Sequence, residues 1–207
     1  MPGHRAEKDM PYQVTFYSGE YKQRQLAANR DRCIAYVEQH LNSASKPANY
    51  SVVIVASNAS QKSRDWGRHY AREVSRQFNT TVGGEDGILV GGYEGRGNAN
   101  LIDTAMPAIL VEPLFANNPA HASILKSQAG RVRLAQILAD SIRRFFPKGG
   151  SVAFSIGHKG KPGAPSDRGA PVYGGGTEAE FAELILLEAK RMLETAPSPA
   201  QYGGLRA

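Results

Sequence analysis

The sequence predicts an α/β fold: one three-layer domain whose mostly parallel, twisted sheet of about six strands carries helices on both faces. Strand-length apolar segments alternate with helix-length amphipathic ones along nearly all of the 207 residues. Two strand segments, the "VVIVA" of "SVVIVAS" and the "AILV" of "MPAILVEPLF", are apolar without interruption, as strands buried on both faces are. The length suits a single domain, and no repeat marks a second one.

Taken in order, "YQVTFYS" (12–18) alternates like a short strand, and "YKQRQLAANRDR" (21–32) reads as a polar helix. A second strand lies in "CIAYVEQHLN" (33–42), and "SVVIVAS" follows the loop "SASKPANY". Residues 60–78 predict a helix, because Trp66, Tyr70, Val74 and Phe78 recur every four positions and Ser60 suits the N-cap. The Gly-rich stretch 80–105 predicts a long loop around a short strand at "ILV". "MPAILVEPLF" is the next strand and "NNPAHASIL" opens a helical region. Val132, Ala135, Leu138, Ile142 and Phe145 form one stripe of a helix over 130–146, which stops before Pro147. "SVAFSIGH" (151–158) is the last strand and 178–194 the last helix; the tail from 195 has the composition of a disordered segment.

Composition excludes several classes. With 41% hydrophobic and 21% charged residues, and no run of about 18 apolar residues, the chain is not expected to insert in a membrane. The first residues, "MPGHRAEKDMPYQV", lack the apolar stretch of a secretory signal, so synthesis in the cytoplasm and export by another route are expected. One cysteine, Cys33, excludes an internal disulfide and a multi-cysteine zinc site, and suits a small buried residue. The formal charge of +6 favours polyanions in general. The basic residues are scattered, however, so no specific nucleic-acid partner is expected.

In open α/β sheets, sites gather at the carboxyl ends of strands. Three predicted strands end in residues that hold a metal or move a proton: His40, Glu112 and His158. Glu178 opens the last helix, just after a Gly/Pro-rich loop. Two imidazoles and a carboxylate are an established donor set for catalytic zinc, and leave the ion enough charge to acidify a water and polarise a carbonyl. A further carboxylate off the metal is then needed to carry the proton, a role that suits Glu112. Each residue also has an ordinary reading: a lone strand-end histidine is most often a hydrogen-bonded core or surface residue, and a helix-opening glutamate favours the helix dipole. Glu112 is harder to dismiss, since an ionised carboxylate after an apolar run needs a partner.

Four stretches, "GHKGKPGA", "GGGTEAEF", "EQHLNSA" and "MPAILVEPLFANNP", together resemble parts of the zinc-dependent N-acetylmuramoyl-L-alanine amidases of the amidase-3 type. The first two look like the family's first strand end, loop and helix start, the third resembles its His-x-Asn-Ala motif, and the fourth is similar to its late strand. The resemblance runs from about Gln13 to Leu193. It implies that His40, His158 and Glu178 bind Zn2+ and that Glu112 is the catalytic glutamate. It also implies a circularly permuted order within one catalytic domain over 1–194: residues 13–146 match the family's later part, and 151–194 its first strand and helix. "PKGGS" would be the joining linker.

The chain departs from the family pattern in several places. Lys159 stands where a Gly is usual, and Pro113 follows the catalytic glutamate in place of a small residue. The longer loop before Glu178 leaves Glu180 as an alternative ligand, though Phe181 and Leu184 follow Glu178 at the family's spacing. Glu38 shares a strand face with His40 and either supports the metal or pairs with a lysine, the second being favoured because most carboxylates are exposed. Asn42 matches the family's Asn and either orients the site or serves a turn. His4, His69 and His121 are expected to be surface or structural residues.

The function implied is a peptidoglycan hydrolase that cleaves between N-acetylmuramic acid and the L-alanine of the stem peptide, with peptidoglycan or muropeptides as partners. It would reach the wall after lysis, as a phage endolysin does, or by nonclassical export. Two other classes stay open on the sequence: a wall-binding module that keeps the fold without the chemistry, and a cytoplasmic zinc amidohydrolase acting on small acyl-amino acids or muropeptides.

Overall fold

The computed structural model describes residues 10–46 and 48–195. The segment 196–207, predicted to be a disordered tail, and His4 lie outside the described residues. The strands are β1 (Tyr12–Phe16), β2 (Ala35–Gln39), β3 (Tyr50–Val55), β4 (Thr81–Val82), β5 (Ile88–Val90), β6 (Gly92–Tyr93), β7 (Arg96–Gly97), β8 (Ala108–Glu112) and β9 (Gly150–Ile156). The helices are α1 (Tyr21–Arg30), α2 (Gln61–Phe78), α3 (Pro119–Lys126), α4 (Gln128–Phe145) and α5 (Glu178–Glu194).

The main sheet has seven strands, in the order β1-β9-β2-β8-β3-β4 with β5 also on β3. All its pairings are parallel except β3 with β8. The short β5 is the strand expected at "ILV", and β4, in the stretch predicted to be loop, is the one beyond the expected six. The last strand of the sequence is interior: β9 pairs with β1 on one side and β2 on the other. The order β9-β2-β8 therefore places the carboxyl ends of three adjacent parallel strands together, and these are the strands that lead to His158, His40 and Glu112.

Both sheet faces are covered, in agreement with the uninterrupted apolar strands. On one face Val37, Val53, Val55, Ile109, Val111, Val152 and Phe154 pack with the stripes of α2, α4 and α5. On the other, Tyr36, Ile54, Leu110 and Ala153 pack with Ala28 of α1, Cys33 and Leu101. Strand alternation sends odd and even residues of β2 to opposite faces, so Tyr36 and Glu38 point to the α1 side. The helices begin where their caps allow: the side chains of Ser60, Asn118, Ser127 and Thr177 each accept a hydrogen bond from a backbone N–H of the first turn. No helix among the described residues is long and apolar enough to cross a membrane.

Trp66 joins α2 to α4 at the centre of the larger core. It is fully buried, its Nε1–H donates to Ser141 Oγ at 3.0 Å, and its ring meets Phe146 edge-on at 5.1 Å. Replacing Trp66 by Ala leaves a large cavity and removes the donor to Ser141 Oγ, so urea unfolding of the metal-free protein should show a loss of about 3–5 kcal/mol.

Candidate active site

His40 leaves the end of β2 with its backbone N–H bonded to the Val111 carbonyl at 3.0 Å, which ties it to β8. His158 follows β9 through Gly157, whose N–H donates to the Gln39 carbonyl at 2.9 Å. A side chain at Gly157 is excluded, because a Cβ there would lie 2.6 Å from the His40 ring. His158 then turns with φ of 57°, a conformation few non-glycine residues adopt. The two imidazoles meet edge to face, 4.9 Å apart.

Glu178 is the first residue of α5, behind the N-cap Thr177. Its carboxylate turns inward and is buried: Oε1 accepts from the Leu41 N–H and Oε2 from the Ala170 N–H, both at 3.0 Å. Oε1 also lies 2.9 Å from His40 Nδ1 and 3.5 Å from His158 Nε2. One donor atom each from His40, His158 and Glu178 falls within a mutual 4.8 Å, so these three could hold a metal ion. Glu180, the alternative ligand, is exposed two residues further along.

The outer nitrogen of each imidazole meets a carboxylate. His40 Nε2 is 2.9 Å from Glu38 Oε1, and His158 Nδ1 is 3.0 and 2.9 Å from the two oxygens of Asp167. Such contacts fix ring orientation and make the inner nitrogen a better donor. The chemistry of the donor set thus fits a divalent cation: two imidazoles turn their inner nitrogens to one carboxylate oxygen, with the outer nitrogens already engaged.

Glu38 is not an exposed carboxylate paired with a lysine, as the frequency of such groups had favoured. It is 1% exposed, and its partners are Arg24 (2.5 Å), His40 and Asn100 (2.6 Å). Burial alone would raise Glu38; the charge of Arg24, with the His40 contact, holds it below the ordinary carboxylate range. The polar reading of α1 concealed this, because Arg24 and Gln25 are buried against the sheet. Asp167 lies in the Gly/Pro-rich loop, where the sequence carries no sign of a contact with His158.

Burial pulls the His40 imidazole toward neutrality, but Glu178 and Glu38 outweigh it and push the ring up to about 10. Glu178 shows the reverse balance: burial would raise it, and His40 and His158 hold it low. Glu112 behaves differently. Burial pushes it up to about 7, opposed by the positive charge of His40 and Arg96, and its Oε2 has no hydrogen-bond partner. A half-buried carboxyl poised near neutrality, with one buried and unbonded oxygen, can carry a proton in either direction.

Glu112, His40, His158 and Glu178 line one cavity of about 490 Å³. Its far wall is the β6–β7 hairpin, anchored by the Tyr93 hydroxyl against Tyr50 (3.0 Å) and Asn42 (3.4 Å). Asn42 is buried and lines the cavity, bridging in backbone to Phe115. Pro113 is buried and is not among the lining residues. Lys159 turns away to pair with Glu183 on α5. His121 is structural: Nδ1 accepts from the Phe115 N–H at 3.0 Å and Nε2 meets Asn49 at 2.9 Å. His69 packs at a tilt against Phe145, and Cys33 is buried.

Comparison with known proteins gives the family. The solved catalytic domain of CwlV, an N-acetylmuramoyl-L-alanine amidase from Bacillus (Paenibacillus) polymyxa, is 22% identical with a TM-score of 0.51, and the likeness covers 62% of this chain and 66% of that one. An N-acetylmuramoyl-L-alanine amidase from Clostridium difficile 630 is 18% identical with a TM-score of 0.50 over the same shares. In both the likeness spans just under two thirds of the solved chain, and it shows the fold. No curated protein sequence matches this chain. The family model described as N-acetylmuramoyl-L-alanine amidase matches residues 6–144, a span that holds His40 and Glu112 and stops before β9. With two thirds of its length matched, the chain belongs to the amidase-3 family of N-acetylmuramoyl-L-alanine amidases.

Proposed function

We propose that this protein is a zinc-dependent hydrolase of peptidoglycan or its soluble fragments, cutting the amide between the lactyl group of N-acetylmuramic acid and L-alanine. The observation that carries the reading is the convergence of His40, His158 and Glu178 at one point, with the half-buried carboxyl of Glu112 lining the same cavity. His40, His158 and Glu178 would hold Zn2+, which when bound acidifies a water and polarises the scissile carbonyl. Glu112 takes the proton released as water attacks the carbonyl and passes it to the nitrogen of L-alanine as the amide bond breaks. The hairpin at Tyr93 and Arg96 walls the cavity in which the sugar and peptide would lie. A net charge of +6 favours residence on an anionic wall. The wall is the proposed place of action.

We also read the chain as a circularly permuted member of the family. The family match ends at residue 144, while β9 and α5 supply His158 and Glu178. The far end of α5 lies against β1: Glu194 Oε1 accepts from the Val14 N–H at 2.8 Å, and Lys190 donates to the Val14 carbonyl at 2.7 Å. A short linker from α5 to β1 would therefore restore a β9-α5-β1 crossover between neighbouring parallel strands. A chain running 150–195, a short Gly/Ser linker and then 10–146 should fold with the same circular dichroism and metal content as the parent. Loss of the folded state in that chain would count against the permuted reading.

Elemental analysis should find about one zinc per chain in protein purified with zinc present. His40→Ala and His158→Ala should each lose most of it, since a three-ligand site does not survive as two. A wall-binding module without the chemistry would hold none.

Glu112→Gln should keep its zinc and lose about 10²–10⁴-fold in turnover of muropeptides. The base must be ionised to act, so kcat/KM of the parent should fall as pH drops through the Glu112 pKa. Burial places that pKa at about 7 in the metal-free protein, and a bound cation draws it lower. The acid limb is therefore expected at or below pH 7 in the loaded enzyme, and should be missing from the residual rate of the Gln variant.

A further inference from the structure

The two histidines at the centre are held in unlike ways. The outer nitrogen of His40 rests on Glu38, which is sealed in the core by Arg24 and Asn100. That support belongs to β2, α1 and the turn at Asn98–Asn100, and it does not involve the loop 159–176. His158 is more exposed, its side chain 31% accessible against 11% for His40, and it stands on a left-handed residue beyond the end of β9. Its outer nitrogen is held by Asp167, from the middle of the loop.

The same short piece of loop also grips Glu178. Asp167 Oδ1 accepts from the Gly169 N–H at 3.0 Å, which fixes the carboxylate to its own turn. The Ala170 N–H donates to Glu178 Oε2 at 3.0 Å, while the Ala170 and Arg168 carbonyls accept from the Glu178 and Ala179 N–H groups at 2.9 and 3.1 Å. Between these contacts Gly169 runs so close that a Cβ would lie 2.5 Å from Glu178 Oε2 and 2.7 Å from the His158 ring. Residues 167–170 thus fasten two of the three donors to each other. Elsewhere the loop is tied to α1 by Lys161 on the Tyr21 hydroxyl (2.6 Å) and by the Gly163 N–H on Glu20 (2.8 Å).

We propose that Asp167 is a positioning residue for the metal centre: it sets the direction of His158 and couples metal affinity to the ordering of the 163–170 loop. The inference rests on the reading of His40, His158 and Glu178 as metal ligands. Its physical content is a linkage. If the loop in its present conformation favours the bound ion, the ion must favour that conformation by the same factor. Losing Asp167 frees the more exposed imidazole to rotate and leaves its outer N–H to water, whereas His40 keeps its buried support.

The test uses the full chain, zinc alone as the probe, and two variants, Asp167→Ala and Asp167→Asn. Zinc affinity is read by equilibrium competition with a fluorescent chelator, and loop ordering by hydrogen exchange of residues 163–170 with and without zinc. Asp167→Ala should bind zinc about 10–100-fold more weakly than the parent, with Asp167→Asn between the two because its amide oxygen still accepts from the imidazole. Zinc should slow exchange in the loop of the parent and have little effect there in Asp167→Ala. Thermal unfolding of the zinc-free proteins checks folding, and if Asp167→Ala is unfolded the Asn variant decides by the same two readouts. Affinity within about twofold of the parent in the folded variants, with unchanged loop protection, overturns the role of Asp167 and leaves the metal site standing. A parent that takes up no zinc overturns the ligand reading, and this inference with it.

Discussion

The place of β9 is the constraint from which the rest of the site follows. Hydrogen bonds from Gly150–Phe154 to β1 and from Val152–Ile156 to β2 insert the last strand of the chain into the middle of the sheet. Without that insertion β2 would be an edge, and His40 would face solvent with neither His158 nor the loop beside it. With it, three parallel strand ends stand side by side at the spacing of a β-sheet, about 5 Å apart. Two side chains from neighbouring strand ends, and a third from the helix that follows one of them, can then reach a common point. The same insertion brings α5 back over β1, so the final helix completes both the core and the donor set.

The charges at the site divide into two kinds. Glu38, Arg24, His40 and Glu178 form a chain of contacts in which every ionised group meets an opposite one. A buried carboxylate is tolerable only in such company, and removing one member would strand the others. Glu112 stands apart from this chain. It shares the cavity but keeps an unbonded oxygen, and burial drives it toward the neutral form. Carboxylates close together in one pocket are thus given different protonation behaviour by their partners: Glu178 suits a fixed ligand, and Glu112 a group that exchanges protons.

Parts of this arrangement were legible in the sequence because their signals are local. An apolar run that stops at a polar residue marks a strand end, and this brought out His40, Glu112 and His158. A four-residue apolar period marked α2 over its whole length, and the strong period after Gly176 marked the helix that Glu178 opens. The burial of Glu38 was not legible, because nothing in "YVEQH" says what covers that face of β2. Its partner comes from a mostly polar helix, and a buried arginine looks like any other until the helix is docked. Asp167 is hidden for a related reason: in "PSDRGA" it has the look of an ordinary turn residue, and the return of the loop to His158 gives it its partner.

By itself the sequence determined the layered α/β fold, the family resemblance, and the residue types offered at three strand ends and one helix start. These depend on periodicity and on the termination of apolar runs, which neighbouring residues set. Tertiary structure alone decided which strands became neighbours, and hence that residues 40, 112, 158 and 178 line one cavity. It also decided which carboxylates are buried, that Glu38 answers to Arg24, and that Asp167 stands behind His158. The physical reason is that pairing energy, desolvation and the resulting proton affinities depend on how segments come together in space, whether 9 residues apart as His158 and Asp167 or 138 as His40 and Glu178, and no local pattern encodes those distances.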